Sequence, residues 1–296
     1  MIPSNPLWTA LVTPLMPDLT IDYKSLDGLL EAQEQAQNGL LILGSTGEAL
    51  NLGLDDKKRI VERCIERVTT IPTMVGVGGH DLKACLSWLD FLETLPISAY
   101  LMVTPIYAKP QAQGQYRWFK ELFDRSQKPI MLYNIPSRAG VELSISAVER
   151  LREHQNYWAI KDSSGSLDKF KEYLDASKGK PVYCGDDILF PKFAQAKSSG
   201  LVSVAANAWP LETRLYVDQC QKKTFSAQVL WEDALRALSF SSNPIPIKRL
   251  LYEEKHISHN TMMPPLSELD FRDCSMLLML SKQIRSWYQN EMGSGS

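Results

Sequence analysis

The stretch that decides the fold is PIMLYNIPSRAGVELSISAVERLREHQNYWAIK, residues 129–161. It contains two nearly continuous apolar runs, PIMLY (129–133) and YWAIK (157–161), which are typical of parallel strands buried on both faces. Between them, SISAVERLREH (144–154) has the apolar spacing of an amphipathic helix, with Ser144 at the N-cap position. The stretch therefore predicts a strand–helix–strand unit.

The same unit recurs along the chain. Eight apolar runs begin 19 to 33 residues apart, about the length of a strand, a loop and a helix. They are WTALVT (8–13), GLLIL (39–43), PTMVGV (72–77), AYLMV (99–103), PIMLY (129–133), YWAIK (157–161), PVYCG (181–185) and GLVSV (200–204). The amphipathic stretches include 23–37, 55–68, 82–95 and 144–154, with N-cap candidates Asp22, Asp55, Asp81 and Ser144. Eight alternating units favour an α/β fold, a closed (β/α)8 TIM barrel over residues 1–225. The alternative is a doubly wound open sheet, which would normally carry a glycine fingerprint after its first strand.

The strand pattern stops after residue 225. Three stretches, 226–240, 246–255 and 267–289, have helical patterns and are separated by prolines. They predict a C-terminal helical subdomain over residues 226–292, packed on the barrel or on a partner chain. The terminal GSGS (293–296) resembles a linker scar or a disordered tail.

Composition excludes several classes of protein. The 296 residues carry 32 Lys and Arg against 34 Asp and Glu, and 44% are apolar, which excludes a disordered or fibrous chain. The net charge of −2 provides no basic field for nucleic acid or for an anionic membrane. No apolar run approaches the roughly 20 residues of a membrane helix. The start has no basic residue before its apolar residues, unlike a secretory signal, and five scattered cysteines suit a reducing compartment. These features predict a cytoplasmic protein.

Candidate chemistry lies where the strands end, because barrel enzymes place their catalytic groups there. These positions hold hydroxyls, glycine turns and one lysine: Thr13, GSTGE (44–48), GGH (78–80), TPIY (104–107), Tyr133-Asn134, Lys161-Asp162, GDD (185–187) and Ser203. They contain no carboxylate pair with a histidine suited to a metal, and two adjacent aspartates alone make a weak magnesium site. The inventory favours amine catalysis and predicts no metal.

Lys161 is the sharpest candidate, because it closes the run YWAI and its stem should lie inside the barrel mouth. Burial favours a neutral amine, which can attack a ketone to form a Schiff base. The alternative is a strand-end lysine paired with Asp162 in solvent. Tyr133 and Tyr107 are phenols that could shuttle protons, although strand-end tyrosines are often structural.

Two further segments could bind an anionic substrate. Ser45 and Thr46 lie on a glycine-flexed loop whose N–H groups and hydroxyls could cradle a small carboxylate. Arg138 could bind a carboxylate bidentately, although a surface arginine is the simpler interpretation.

Taken together, the chain resembles the dihydrodipicolinate synthase and N-acetylneuraminate lyase superfamily of class I aldolases. The resemblance covers nearly the whole chain. It rests on TALVTP (9–14), GSTGEAL (44–50), VTPIY (103–107), YNIPSRAG (133–140), AIKDSSG (159–165), GDD (185–187), LVSVAAN (201–207) and NPIPIK (243–248). Arg138 favours the synthase branch, because sialic acid lyases and sugar-acid aldolases do not normally carry an arginine there.

The resemblance implies a synthase that condenses pyruvate with L-aspartate-4-semialdehyde in lysine and diaminopimelate biosynthesis. Lys161 would form the pyruvate Schiff base, and Tyr133, Ser45 and a neighbouring subunit's Tyr107 would relay protons. Pyruvate itself is held covalently, and no cofactor is implied. The substrate-binding positions that the resemblance implies are Thr46, Arg138, Val204 and Gly185, with Thr46 and the backbone around Val204 on the pyruvate carboxylate and Arg138 on the aldehyde substrate. The family is usually a homotetramer of tight dimers, though homodimers occur.

The sequence departs from the family in two places. The first threonine of the glycine loop is Ser45, which keeps the hydroxyl but loses the methyl that restricts its rotamer. The family's lysine feedback site matches Ile106, His80, Ala84, Leu54 and Lys57, and Ala84 stands where a glutamate would bind the ligand's ammonium. This predicts weak or absent inhibition by lysine. The competing functions are a pyruvate-dependent sugar-acid aldolase or N-acetylneuraminate lyase, and a silent barrel that binds a keto acid.

Overall fold

The computed structural model describes residues 5–293, and eight parallel strands within them form a closed barrel in sequence order. The strands are β1 (Leu7–Ala10), β2 (Gly39–Ile42), β3 (Thr73–Val77), β4 (Ala99–Val103), β5 (Ile130–Asn134), β6 (Tyr157–Asp162), β7 (Val182–Cys184) and β8 (Leu201–Ser203). Each strand overlaps one of the eight predicted apolar runs. The (β/α)8 barrel is therefore confirmed, and the open doubly wound sheet is excluded.

Helices connect the strands and continue after the last one. They are α1 (Tyr23–Gln35), α2 (Leu54–Arg67), α3 (Leu82–Glu93), α4 (Ala112–Arg125), α5 (Pro136–Ala139), α6 (Ile145–Leu151), α7 (Leu167–Ala176), α8 (Phe190–Gln195), α9 (Pro210–Lys222), α10 (Gln228–Ala237), α11 (Ile245–Glu253) and α12 (Ser275–Gly293). Single 3₁₀ turns occur at Ala205–Asn207 and Glu268–Asp270. Among the described residues, no helix is both long and apolar enough to cross a membrane.

Three of the four predicted N-caps are confirmed. Asp22, Asp81 and Ser144 each accept a hydrogen bond from a backbone N–H in the first turn of the helix that follows. The assignment of Asp55 was wrong, because α2 begins at Leu54 and Gly53 occupies its N-cap. Asp55 lies in the first turn instead, where its negative charge complements the positive end of the helix dipole.

The described chain folds into two compact units. One comprises residues 5–6 and 72–202, and the other comprises residues 7–71 and 203–293. These limits differ from the division at residue 225 expected from the sequence, so a separate subdomain over 226–292 stays a prediction.

The first unit contains the strand pair β5–β6, which positions the main candidate residues. Downstream in this pair, Tyr133 lies opposite Lys161 in parallel register. Upstream, the register shifts between Ile130 and Met131, so β6 uses one residue more than β5 over this short span. All eleven residues of the two strands are buried, as continuous apolar runs predict for strands covered on both faces.

In the second unit, the helices after residue 225 pack on α9 through a cluster of aromatic rings. Trp231 of α10 stacks on Tyr216 of α9 with ring centroids 4.3 Å apart, and Trp287 of α12 meets Trp231 edge-on at 5.5 Å. The Trp209 indole N–H donates to the Ser281 hydroxyl of α12 at 2.8 Å. These contacts join the last helices to the helix that follows β8.

The predicted tail helices agree with α10 and α11, but the third prediction was too long. Residues 267–289 were expected to form one helix, whereas α12 begins only at Ser275. The first part of the predicted stretch instead forms the separate 3₁₀ turn Glu268–Asp270, whose N-cap Ser267 accepts from the Leu269 N–H. Of the expected tail at 293–296, Gly293 is the last residue of α12, and residues 294–296 lie outside the described part.

Candidate active site

Lys161 is the buried centre of the candidate site in the first unit. It is the penultimate residue of β6 and is only 5% exposed. Its Nζ lies 4.1 Å from the centre of the Tyr133 ring, the arrangement of a cation–π contact when the amine is protonated. The strand register produces this contact, because it sets the two residues directly opposite each other. The structure thus brings together the lysine and the phenol that the sequence singled out.

The alternative interpretation of Lys161, a solvent-exposed pair with Asp162, is wrong. Asp162 is 1% exposed, and its carboxylate accepts from Asn134 Nδ2 at 2.7 Å and from the Ser164 hydroxyl at 2.9 Å. Burial raises the pKa of Asp162, and the hydrogen bonds from Asn134 and Ser164 oppose that rise. Within residues 5–293, Lys161 forms no ion pair.

Gly185 allows the end of β7 to approach Lys161. A Cβ atom at this position would lie 2.6 Å from Lys161 Cε and 2.1 Å from the Ser163 hydroxyl, so no larger residue fits without movement. The Gly185 N–H donates to the Asp162 carbonyl at 2.8 Å. The side chain of the neighbouring Asp186 accepts from the backbone N–H groups of Ile188 and Leu189, and it thereby stabilises the turn that follows β7. No group of three or more metal-ligating side chains occurs among the described residues.

Arg138 and Tyr107 belong to the same unit but lie on its surface. Arg138 is an exposed residue of the short helix α5, which begins directly after β5 and ends at Gly140 with φ +75°. Tyr107 follows β4 and is 92% exposed, with a left-handed φ of +70°. A bulky residue held at positive φ is strained, and such strain concentrates at functional sites. Both side chains are thus exposed, in contrast to the buried Lys161 and Tyr133.

In the second unit, the loop after β2 carries Ser45 and Thr46. Ser45 is half-buried, and Thr46 is buried with its hydroxyl oxygen accepting from Asn243 Nδ2 at 2.9 Å. Because that oxygen already accepts a hydrogen bond, its own hydrogen is available to donate to a ligand. The Thr13 hydroxyl donates to the Gly47 carbonyl at 2.8 Å and fixes the following turn.

The same loop is anchored by an ion pair that the sequence interpretation missed. The backbone of Glu48 has a positive φ of +55°. Its carboxylate contacts Lys248 Nζ at 2.7 Å, and both side chains are 0% exposed. Its second oxygen accepts from the Met263 N–H at 2.7 Å. Burial lowers the pKa of Lys248, and the Glu48 charge opposes that effect. A lysine within the apolar helix sequence IPIKRLL was the available signal, but its partner lies 200 residues away.

Val204 follows β8 and begins the 3₁₀ turn Ala205–Asn207 in the second unit. Its carbonyl accepts from the Asn207 N–H at 3.1 Å and from the Asn207 side-chain amide at 2.9 Å. These two hydrogen bonds define the backbone around Val204, the segment expected to contact the pyruvate carboxylate.

Comparison with known proteins identifies the family. The model of the dihydrodipicolinate synthetase family matches residues 4–282. A 4-hydroxy-tetrahydrodipicolinate synthase of Wolbachia pipientis subsp. Culex pipiens (strain wPip) is 44% identical over 282 residues, which are 95% of this chain and 96% of that protein. The crystal structure of dihydrodipicolinate synthase from Bacillus anthracis matches with a TM-score of 0.87 at 26% identity, covering 95% of this chain and 99% of the other. The structure of the chloride-inhibited enzyme from Acinetobacter baumannii, complexed with pyruvate, matches with a TM-score of 0.85 at 28% identity, covering 98% and 97%. The chain therefore belongs to the dihydrodipicolinate synthetase family.

Proposed function

We propose that this protein is a 4-hydroxy-tetrahydrodipicolinate synthase, a Schiff-base-forming lyase that condenses pyruvate with L-aspartate-4-semialdehyde. The observation that carries the proposal is the buried Lys161, whose Nζ lies over the Tyr133 ring beside the close approach of Gly185. A desolvated amine next to a phenol suits nucleophilic attack on a ketone. Two relatives that are 44% and 43% identical to this chain are named 4-hydroxy-tetrahydrodipicolinate synthase, which supports the proposal.

In the proposed mechanism, the neutral Lys161 amine attacks the C2 carbonyl carbon of pyruvate, and the resulting carbinolamine loses water to give the Schiff base. A C3 proton then leaves, and the enamine carbon attacks the aldehyde carbon of the second substrate. The amine of that substrate displaces the Lys161 nitrogen, which closes the ring and releases the free enzyme. Tyr133, Ser45 and Tyr107 are the proposed proton relay. The scheme uses a covalent substrate adduct and needs no resident metal or cofactor.

Thr46 and the backbone around Val204 are the proposed ligands of the pyruvate carboxylate. The support for Thr46 is its hydroxyl oxygen, which accepts from Asn243 and so leaves the hydrogen to donate. Gly185 is assigned to substrate binding because only a residue without a side chain leaves space beside Lys161. Arg138, exposed directly after β5, would bind the carboxylate of L-aspartate-4-semialdehyde bidentately.

Tyr107 would act across a subunit interface, in a homotetramer of dimers or in a homodimer. Its 92% exposure and positive φ support this role, because nothing in residues 5–293 of one chain buries the ring. We also propose a cytoplasmic location. All five cysteines lie in the described part of the chain, are buried and form no disulfide, as is typical of a reducing compartment.

The experiment that separates this function from a sugar-acid aldolase is a comparison of second substrates. L-Aspartate-4-semialdehyde should condense with pyruvate, whereas sugar aldehydes should give negligible turnover. Arg138→Ala should lower kcat/KM for the semialdehyde about 10- to 100-fold, because a hydrogen bond to a charged group contributes about 1.5–3 kcal/mol. Arg125→Ala, which removes an exposed arginine paired with Asp90, is the matched control and should leave kcat/KM for the semialdehyde unchanged. Preferred turnover of a sugar aldehyde would establish the aldolase instead.

A further inference from the structure

The first unit contains a buried side-chain link directly beyond the Tyr133–Lys161 pair. Asn134 and Asp162 are the next residues on β5 and β6, and they lie opposite each other in the same register. Asn134 Nδ2 donates to the Asp162 carboxylate at 2.7 Å, and the two side chains are 0% and 1% exposed. Because side chains alternate along a strand, this link lies on the opposite face from Tyr133 and Lys161.

Both members of the link are held by further hydrogen bonds. The Asn134 side-chain oxygen accepts from the Leu143 N–H at 2.8 Å, in the segment that precedes α6. The Asp162 carboxylate accepts from the Ser164 N–H at 3.1 Å and from the Ser164 hydroxyl at 2.9 Å. The link is therefore fixed at both ends by the loops that follow the two strands.

The register of these strands needs fixing because it is irregular upstream. Ile130 lies opposite Tyr157, but Met131 lies opposite Ala159, so Trp158 is an extra residue in β6. If that extra residue were absorbed, β6 would shift by one position against β5. A one-residue slip moves every side chain of a strand to the other face, which would remove Lys161 from Tyr133. The Asn134–Asp162 hydrogen bond is compatible only with the register in which Lys161 lies opposite Tyr133.

We propose that Asn134 and Asp162 are positioning residues that hold the reactive amine of Lys161 in register with Tyr133. Their role is geometric, since Asp162 makes its hydrogen bonds to Asn134 and Ser164 rather than an ion pair with Lys161. The inference rests on the proposed function of Lys161 as the Schiff-base residue. It adds two residues that would not touch the substrate but would control the rate at which the Schiff base forms.

The test measures how fast Lys161 is trapped when the enzyme is mixed with pyruvate and quenched with borohydride at successive times. Asp162→Ala should slow trapping and lower kcat about 10- to 100-fold, because a misplacement of 1 Å can cost about 100-fold. KM for pyruvate should stay within about threefold, because the proposed carboxylate ligands lie elsewhere. Asn134→Ala, which leaves Asp162 its bonds to Ser164, should show the same pattern.

Two further variants separate positioning from stability. Asp162→Asn keeps an oxygen that can accept from Asn134 and should trap within about threefold of the wild-type rate. Ser177→Ala removes the hydrogen bond of 3.0 Å to Tyr157 at the other end of β6, so it should lower the melting temperature but not the trapping rate per folded molecule.

The outcomes distinguish this inference from the proposed function. Wild-type protein that gives no adduct on Lys161 would contradict the function itself. If the wild type is trapped and folded Asp162→Ala or Asn134→Ala is trapped equally fast, only the positioning role is overturned. Loss of trapping in Asp162→Asn, a variant that keeps the size of the side chain, would also overturn it, because the charge rather than the hydrogen-bond geometry would then matter.

Discussion

Lys248→Met tests the buried ion pair that anchors the loop carrying Thr46. Met keeps most of the apolar stem of the lysine but removes the ammonium 2.7 Å from the Glu48 carboxylate, where both side chains are 0% exposed. Removing one member of a buried pair costs about 3–5 kcal/mol, because the remaining charge has no partner. The unfolding midpoint should therefore fall by about 6–10 °C, at about 2 °C per kcal/mol for a chain of this size.

The double variant Glu48→Gln/Lys248→Met identifies the cause of that loss. The introduced glutamine would still accept from the Met263 N–H but would leave a buried amide N–H without a partner, which costs about 1–3 kcal/mol. The double variant should thus be more stable than Lys248→Met alone, as measured by thermal unfolding of both with the wild type. Arg59→Met, which breaks an exposed pair with Asp56 in the same unit, is the control and should cost less than about 1 kcal/mol.

The catalytic consequence should appear as weaker pyruvate binding. Lys248→Met should raise KM for pyruvate more than it lowers kcat, because the loop that carries Thr46 loses its anchor. A loss of stability below about 1 kcal/mol in Lys248→Met would refute the reasoning, as would a double variant no more stable than the single one.

Three other predictions concern the packing at Lys161, the buried thiols and feedback inhibition. Gly185→Ala should abolish pyruvate trapping in a protein that still shows the wild-type circular dichroism spectrum, because the new methyl would lie 2.6 Å from Lys161 Cε; trapping at the normal rate would contradict this. Burial raises the pKa of the Cys64 thiol to about 12 from 9.0, so above pH 9 the unfolded chain loses a proton that the folded chain keeps, and stability falls as pH rises to 12. Denaturant titrations between pH 9.5 and 11.5 give the free energy of unfolding at each pH. Its fall with pH should be smaller in Cys64→Ala than in the wild type by up to about 1.4 kcal/mol per pH unit, and an equal fall in both proteins would contradict the assignment. Millimolar L-lysine should leave turnover nearly unchanged because Ala84 offers no carboxylate to the ligand's ammonium, and inhibition at sub-millimolar lysine would show this to be wrong.

The sequence was sufficient for the barrel because its signals are local. An apolar run such as PIMLY predicts a buried strand wherever it occurs, and Asp22, Asp81 and Ser144 predict helix starts through bonds within one turn. Asp55 shows the limit of that reasoning, since an acidic residue favours the first turn as well as the cap.

The candidate site was predicted only in part. Lys161 and Tyr133 could be found because each ends an apolar run, and the strand register then places them in contact. The Glu48–Lys248 pair joins residues 200 positions apart, so no local pattern contains it. The Asn134–Asp162 bond depends on a register shift that the apolar pattern of one strand does not reveal.

The central claim is that Lys161 forms a Schiff base with pyruvate. Its most direct test is to incubate the protein with pyruvate, reduce with borohydride, digest, and locate the added mass by mass spectrometry. We expect one adduct per chain, on the peptide containing Lys161, and none in Lys161→Ala. An unmodified Lys161 peptide, or an adduct on another lysine that persists in Lys161→Ala, would contradict the account.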